Sequence, residues 1–344
     1  MKFFSYDPTC AIGTDPRGCF MRLNSLVLLL FLTAACQEPA PPASAAIYAI
    51  APATHVSTWD QNLLGRPLPA RIEPATEPLL DYIRRWNESD GFQAVPKPAR
   101  MDAKDKEALA RELSNLPPPV LKLLQKHVIT IATVEDLGGS AMAGAAFDDR
   151  GEFPFGFLIL DINMFKRNAN QWISYKENTV FQPEPGTSYT VTLEPEVSNT
   201  RIAGMRFVIL HELGHIIAQV TRSLPAFTDR RPDRNKFPFA RTFDEFPLRG
   251  RIKFYADKPP FSVMEAERLY SEFSPTRFPT LYSCVDEEED FSETFALYIH
   301  TVLMKKPYEV KLIEKGKTTV LARDRILLPQ MKEKRDFIAR ILEK

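Results

Sequence analysis

The sequence predicts an α+β fold, and three observations predict it. Residues 127–193 hold several β-branched runs of partly alternating polarity, the pattern of strands. A long apolar helix, about Thr200 to Thr221, follows them, and a second apolar helix lies far downstream, about Asp286 to Met304. The composition is that of a globular protein able to bury a core: of 344 residues, 44% are hydrophobic, 26% charged and 11% aromatic. Such a length fits two domains, or one domain with decoration. Lysine plus arginine, 44, equals aspartate plus glutamate, 44, and so argues against a nucleic acid as partner.

Residues 1–46 read as a leader. "MRLNSLVLLLFLTAAC" has a basic start at Met21-Arg22, an apolar core too short for a comfortable membrane span, and small residues before Cys36. Cys36 after Ala34-Ala35 resembles the lipobox of a bacterial lipoprotein, with Thr33 where leucine is more usual. On that reading Cys36 is acylated, "QEPAPPASAA" is a tether, and the protein is exported and lipid-anchored. Cleavage at Ala43-Ser44-Ala45 would instead release a secreted protein. Without Cys10 and Cys19 of the leader, Cys36 and Cys284 are left, too few for a disulfide framework.

Residues 47–125 read as an N-terminal helical region, a spacer or packing cap. Leu79, Leu80, Ile83 and Trp86 have helical spacing that ends at Gly91. Asp102 is an N-cap for a helix carrying Leu109 and Leu113, stopped by three prolines, and Val120 to Leu124 begins another. Residues 126–344 read as the main domain. Its strands are "HVITIATVEDL", Phe157 to Ile162 and Tyr189 to Leu193, with a loop of small residues and a turn at Asp149-Arg150-Gly151 between the first two. An insertion at 222–280, rich in proline and arginine, separates the two key helices and carries a short helix near Glu265 to Phe273. A hairpin turning at Lys315-Gly316 and a last helix end the chain.

The chemistry centres on "FVILHELGHIIAQV". Positions i and i+4 share one face of a helix, so His211 and His215 can offer two imidazole nitrogens to one ion. Glu212 is rotated about 100° from His211, placed to act as a base without ligating. Gly214, costly inside a helix, implies close approach by another segment. Burying two imidazoles and a carboxylate among such apolar flanks without a partner would be expensive, and a metal answers that cost. His55, His127 and His300 do not follow in a spacing that gives a third histidine ligand. An acidic ligand from "CVDEEEDFSETFALYIH" is the alternative: Glu289 and Glu293 are one turn apart, so that one can bind metal while the other accepts the spare N–H of a ligand histidine. Cys284 reads as a packed small residue, and His300, about three turns from Glu289, as remote from the metal.

HExxH followed by a helix with E-x-x-x-E resembles the gluzincin arrangement of zinc metallopeptidases. The segment "EDFSETF" is similar to the third-ligand helix of the anthrax lethal factor-like metallopeptidases. The resemblance spans about residues 128–304. It implies a zincin-like domain with a mixed sheet, Zn²⁺ held by His211, His215 and Glu289, and Glu293 supporting a histidine. It also implies a metal-activated water with Glu212 as general base, and Tyr282, seven residues before Glu289, stabilising the oxyanion. The substrate class implied is a peptide or protein. In related peptidases an extended substrate pairs with an edge strand, for which Phe157 to Asp161 is the candidate. The alternative is a non-catalytic or latent zincin-like envelope lipoprotein that acts by partner binding, with the 222–280 insertion over the cleft in the latent case.

Overall fold

The computed structural model describes residues 43–224, 237–239 and 245–343; residues 1–42 of the leader, with Cys36, and residues 225–236 and 240–244 of the insertion lie outside the described residues. The chain enters through helix α1 (Ala43–Ile50), a series of 3₁₀ turns, strand β1 (Ile72–Pro74) and helix α2 (Glu77–Ser89). The apolar face read from sequence holds: Leu79, Leu80, Ile83 and Trp86 are buried, and Gly91 follows the helix at φ 75°, a left-handed position that suits glycine. A two-residue β2 (Lys97–Pro98) leads to α3 (Ala103–Ser114), where the Asp102 side chain accepts from Asp105 N–H as the expected cap. The prolines that stop α3 also start α4 (Pro118–His127), since proline suits the first helical turn.

Three strands follow: β3 (Val128–Glu135), β4 (Ala141–Ala146) and β5 (Phe155–Asp161). With β1 and β2 they form a five-stranded mixed sheet in the order β1-β3-β5-β4. Strands β1, β3 and β5 are parallel, β4 runs antiparallel to β5, and β2 pairs antiparallel with β3 beyond the end of β1. Residues 47–125 thus supply two strands to the sheet as well as helices beside it.

Both faces of the sheet are covered. Phe155, Phe157 and Ile159 of β5 pack with Leu79, Tyr82, Ile83 and Trp86 of α2, while Leu158 and Leu160 point into the larger core. That alternation is the period of two expected of a strand, here buried on both sides. The larger core is built around α6 (Arg201–Val220), after α5 (Ala169–Asn178), β6 (Phe181–Gln182) and β7 (Thr187–Thr192). Beyond the insertion come β8 (Phe261–Ser262), paired with β6, then α7 (Ala266–Phe273) and α8 (Glu287–Leu297). A π-helical turn, Tyr298–Leu303, continues α8 to the expected limit near Met304. Strands β9 (Glu309–Glu314) and β10 (Lys317–Arg323) form the hairpin, with β7 as third strand, and α9 (Lys332–Leu342) ends the chain.

Two sequence expectations are corrected. The run of small residues after Gly138 is strand β4, and it is β4 that forms the edge of the sheet beside α6; β5, with Phe157 to Asp161, lies between β3 and β4. Alanine and glycine hid the strand because they carry no β-branched signal. They are there because bulk does not fit: a Cβ on Gly144 would lie 2.3 Å from Cζ of Phe157. Helix α5 had no counterpart in the sequence reading. No helix among the described residues is long and apolar enough to cross a membrane.

Gly214 has the close neighbour its position implied. A Cβ there would lie 2.8 Å from Cα of Ser292, so α6 and α8 touch backbone to backbone at this residue. Gly214→Ala therefore pushes the helices apart, and the strain of about 1–3 kcal/mol outweighs the helix-propensity gain of about 1 kcal/mol. Urea unfolding should show a lower midpoint at unchanged slope; an unchanged or higher midpoint would mean the contact is not tight.

Candidate metal centre

Helix α6 begins at Thr200, whose hydroxyl accepts from Ala203 N–H at 3.1 Å, and almost every side chain from Ile202 to Ala218 is buried. Helix α8 begins at Asp286, whose carboxylate accepts from Glu289 N–H at 2.8 Å and fixes the backbone of that residue. Because α6 and α8 meet at Gly214, the turns carrying the histidines and the glutamates face one another.

His211 Nε2 lies 3.0 Å from Glu289 Oε2, His215 Nε2 lies 3.8 Å from the same oxygen, and the two Nε2 atoms are 3.3 Å apart. Two imidazoles and one carboxylate thus offer one donor atom each within 4.8 Å of one another, a set that could hold a metal ion with a position left open. Glu289 Oε2 is buried, and its close neighbours are the two imidazole nitrogens, which suits a ligand atom.

The far side of His211 is held by Glu293, with Nδ1 at 3.1 Å from Oε1. Glu293 also accepts from Lys176 Nζ at 2.7 Å and from Thr280 Oγ1 at 2.9 Å, and all three residues are buried. Burial alone would raise this carboxyl, but the Lys176 ammonium and then His211 outweigh it and bring it down to about 2. Burial likewise opposes charge on His211, yet Glu289 and Glu293 together raise it to about 9. His215 is moved the other way, chiefly by burial, toward the neutral form that binds metal. Glu289 is held below the usual carboxylate range: burial acts against this, and His215 and His211 prevail.

Glu212 is buried and lines, with His215 and Glu289, a cavity of about 80 Å³ between α6 and β4. The Tyr282 ring centre is 6.0 Å from that of His211, and Lys176 Nζ lies 3.9 Å over the tyrosine ring. The Tyr282 hydroxyl is buried without a hydrogen-bond partner among the described residues, and its pKa is raised, by burial first and by Glu289 next. The structure therefore brings together all six residues singled out from sequence. Cys284 is buried, and His300 Nε2 meets the Leu193 carbonyl at 2.8 Å, away from the cluster.

Sequence reasoning missed Lys176, Thr280 and the aromatic wall of the cavity, Tyr48, Tyr82 and Trp86. Lys176 had a readable signal, since it falls on the apolar face of α5 with Trp172 and Ile173. No match to this chain is found among protein-family models, curated proteins or solved structures.

Four outcomes are expected. His211 near pKa 9 is protonated at neutral pH, so a divalent ion must displace that proton. Calorimetry in buffers of different ionisation enthalpy should show about one proton released per zinc at pH 7, falling toward zero above about pH 9. The sign is the same for the metal-free protein: stability from this group is full below the ordinary imidazole pKa and is lost as pH rises through about 9. Glu293→Gln removes the nearer carboxylate of buried Lys176 and leaves only Glu177, at 3.9 Å, for a loss of about 3 kcal/mol in denaturant unfolding. Zinc affinity should fall by about 10–100-fold in a chelator competition. A variant as stable and as tight as the parent would remove Glu293 from the site.

Proposed function

We propose that this protein is a zinc-dependent peptidase of zincin-like fold, with His211, His215 and Glu289 as the metal-holding residues. The observation that carries the reading is the convergence of two imidazole nitrogens and one buried carboxylate oxygen, with a further carboxylate on the far nitrogen of His211. A purely structural zinc site has four protein ligands, whereas this one offers three among the described residues and lies beside a cavity. A zinc ion bound there supplies Lewis acidity, acidifying water and polarising a carbonyl.

The chain's own residues supply the rest. Glu212, one position after the first ligand, takes a proton from the attacking water and delivers it to the leaving amine. The water oxygen bonds to the carbonyl carbon, the C–N bond breaks, and a carboxylate and an amine leave. Tyr282 offers its unpartnered hydroxyl to the carbonyl oxygen as negative charge develops. Glu293 and Lys176 act through His211, fixing its ring and tautomer. The apolar leader ending at Cys36 supports an exported, lipid-anchored form of this enzyme.

The purified protein should hold one zinc per chain, lost in His215→Ala. Glu212→Gln should keep the zinc while hydrolysis of a peptide library falls by about 10²–10⁴-fold. Tyr282→Phe should lower kcat by about 10²–10³-fold with little change in KM. Stoichiometric zinc without cleavage of any peptide would sink the enzymatic reading, and a folded protein that takes up no zinc would sink the metal site as well.

A further inference from the structure

The mouth of the metal centre is narrow, and part of its wall comes from α1. The cavity that Glu212, His215 and Glu289 line has about 80 Å³, room for water but far below the roughly 300–1,000 Å³ of a site that takes an organic ligand. Tyr48, Tyr82 and Trp86 line it too, their rings packed edge to face with centres 6.2–6.4 Å apart. Tyr82 and Trp86 belong to α2 and the core around it, whereas Tyr48 belongs to α1.

The segment from α1 to Trp59 also takes up the side of β4 that β5 leaves free. The Tyr48 hydroxyl hydrogen-bonds Tyr82 and the backbone at Ala145. Val56 N–H donates to the Phe147 carbonyl at 3.0 Å, and Phe147 N–H donates to the Thr54 carbonyl at 2.8 Å. Tyr82 itself donates to the Ala143 carbonyl at 3.2 Å. The backbone groups that a further strand would need on this side are thus already used.

This segment is folded on itself. Thr54 Oγ1 donates to the Tyr48 carbonyl and Thr58 Oγ1 to the Pro52 carbonyl, both at 2.7 Å, and Trp59 Nε1 donates to the Ala53 carbonyl at 2.8 Å. Its seat in the core is shallow: Ile47, Ala51 and Ala53 are buried, with Tyr48, Val56 and Trp59 at the rim. Downstream, Asp60, Gln61 and Asn62 are exposed. The chain is gripped again at Arg66, whose carbonyl accepts from Arg71 Nε at 2.8 Å, while the same buried guanidinium donates to the Gln125 and Val128 carbonyls. An exposed loop therefore joins a self-contained segment to an anchored body, and such loops are where proteases reach a folded chain.

We propose that residues 43–59 are a latency segment: with Tyr48 they close the mouth of the metal centre in the intact chain, and a cut in the loop 60–62 opens it. This rests on the hydrolase reading above. A second protease makes the cut, adding one water across one peptide bond and leaving a new carboxylate and a new amine. While the loop is whole, the tether keeps the segment seated and the centre is open in only a small fraction of molecules; once cut, the segment leaves by dilution.

The test uses the full zinc-loaded chain with the recognition sequence of a sequence-specific protease inserted between Gln61 and Asn62, before and after cutting. Amide exchange over residues 143–147 and hydrolysis of a short unstructured peptide should both rise about tenfold or more, with exchange in α6 and α8 unchanged. Hydrolysis that is present and not raised by the cut would overturn the closure and leave the hydrolase standing. Faster exchange at 143–147 with no hydrolysis before or after would keep the cover and overturn the hydrolase; no change in exchange and no hydrolysis would overturn both. Exchange that rises through α6 and α8 as well would make the segment part of the core and overturn its release. In the uncut chain Tyr48→Ala should gain about tenfold in kcat/KM, a gain that misfolding cannot produce, and no gain would overturn the closure by Tyr48.

Discussion

One buried carboxylate holds this architecture to a single arrangement. Glu293 is fully removed from solvent, and a lone carboxylate there would cost several kcal/mol. Its three donors come from three different places: Lys176 from α5, Thr280 from the segment before α8, and His211 from α6. Satisfying the charge therefore fixes the relative positions of these segments. The same contacts orient His211, so the requirement that stabilises the core is also the one that aims a candidate metal ligand. Lys176 carries a further duty, since its ammonium lies over the Tyr282 ring and ties that ring to the cluster.

The sheet explains why the site lies where it does. β5 is buried on both faces, which needs α6 on one side and α2 on the other. The strand left at the edge, β4, is made of small residues, and it is the one beside the histidine helix. Alanine and glycine there let Phe157 and Tyr82 pack closely on one side, while Gly156 gives room to Ile216 of α6 on the other. The cleft is thus a product of packing around β5, with the N-terminal segment forming one of its walls.

What the sequence disclosed follows from what periodicity and spacing can report. The two histidines one turn apart, the glutamates one turn apart and the glycine between helices are local features, and each has its expected neighbour in space. The edge strand was hidden, because its signature is the absence of bulk, and absence of bulk also describes a loop. The continuous apolar run of β5 looked like the more prominent strand and was therefore assigned the edge, although such a run marks a strand covered on both faces. The partners of Lys176 and of the tyrosine wall were out of reach for another reason. They lie 117 residues away for Lys176 and 61 for Tyr82, and pairings that distant leave no trace in local pattern, although the place of Lys176 on an apolar helix face was legible.

That separation has a consequence for how the molecule matures. The ligand helices α6 and α8 are far apart in sequence, and the ion pair that supports them joins residues 176 and 293. Closing so long a loop is entropically slow, and its contacts form only when most of the chain is present. A nascent or partly folded chain holds the two histidines on a helix but has neither the third ligand nor the charge that fixes the first. On the proposed reading a metal ion would be captured late, as a chemical proofreading of the completed fold.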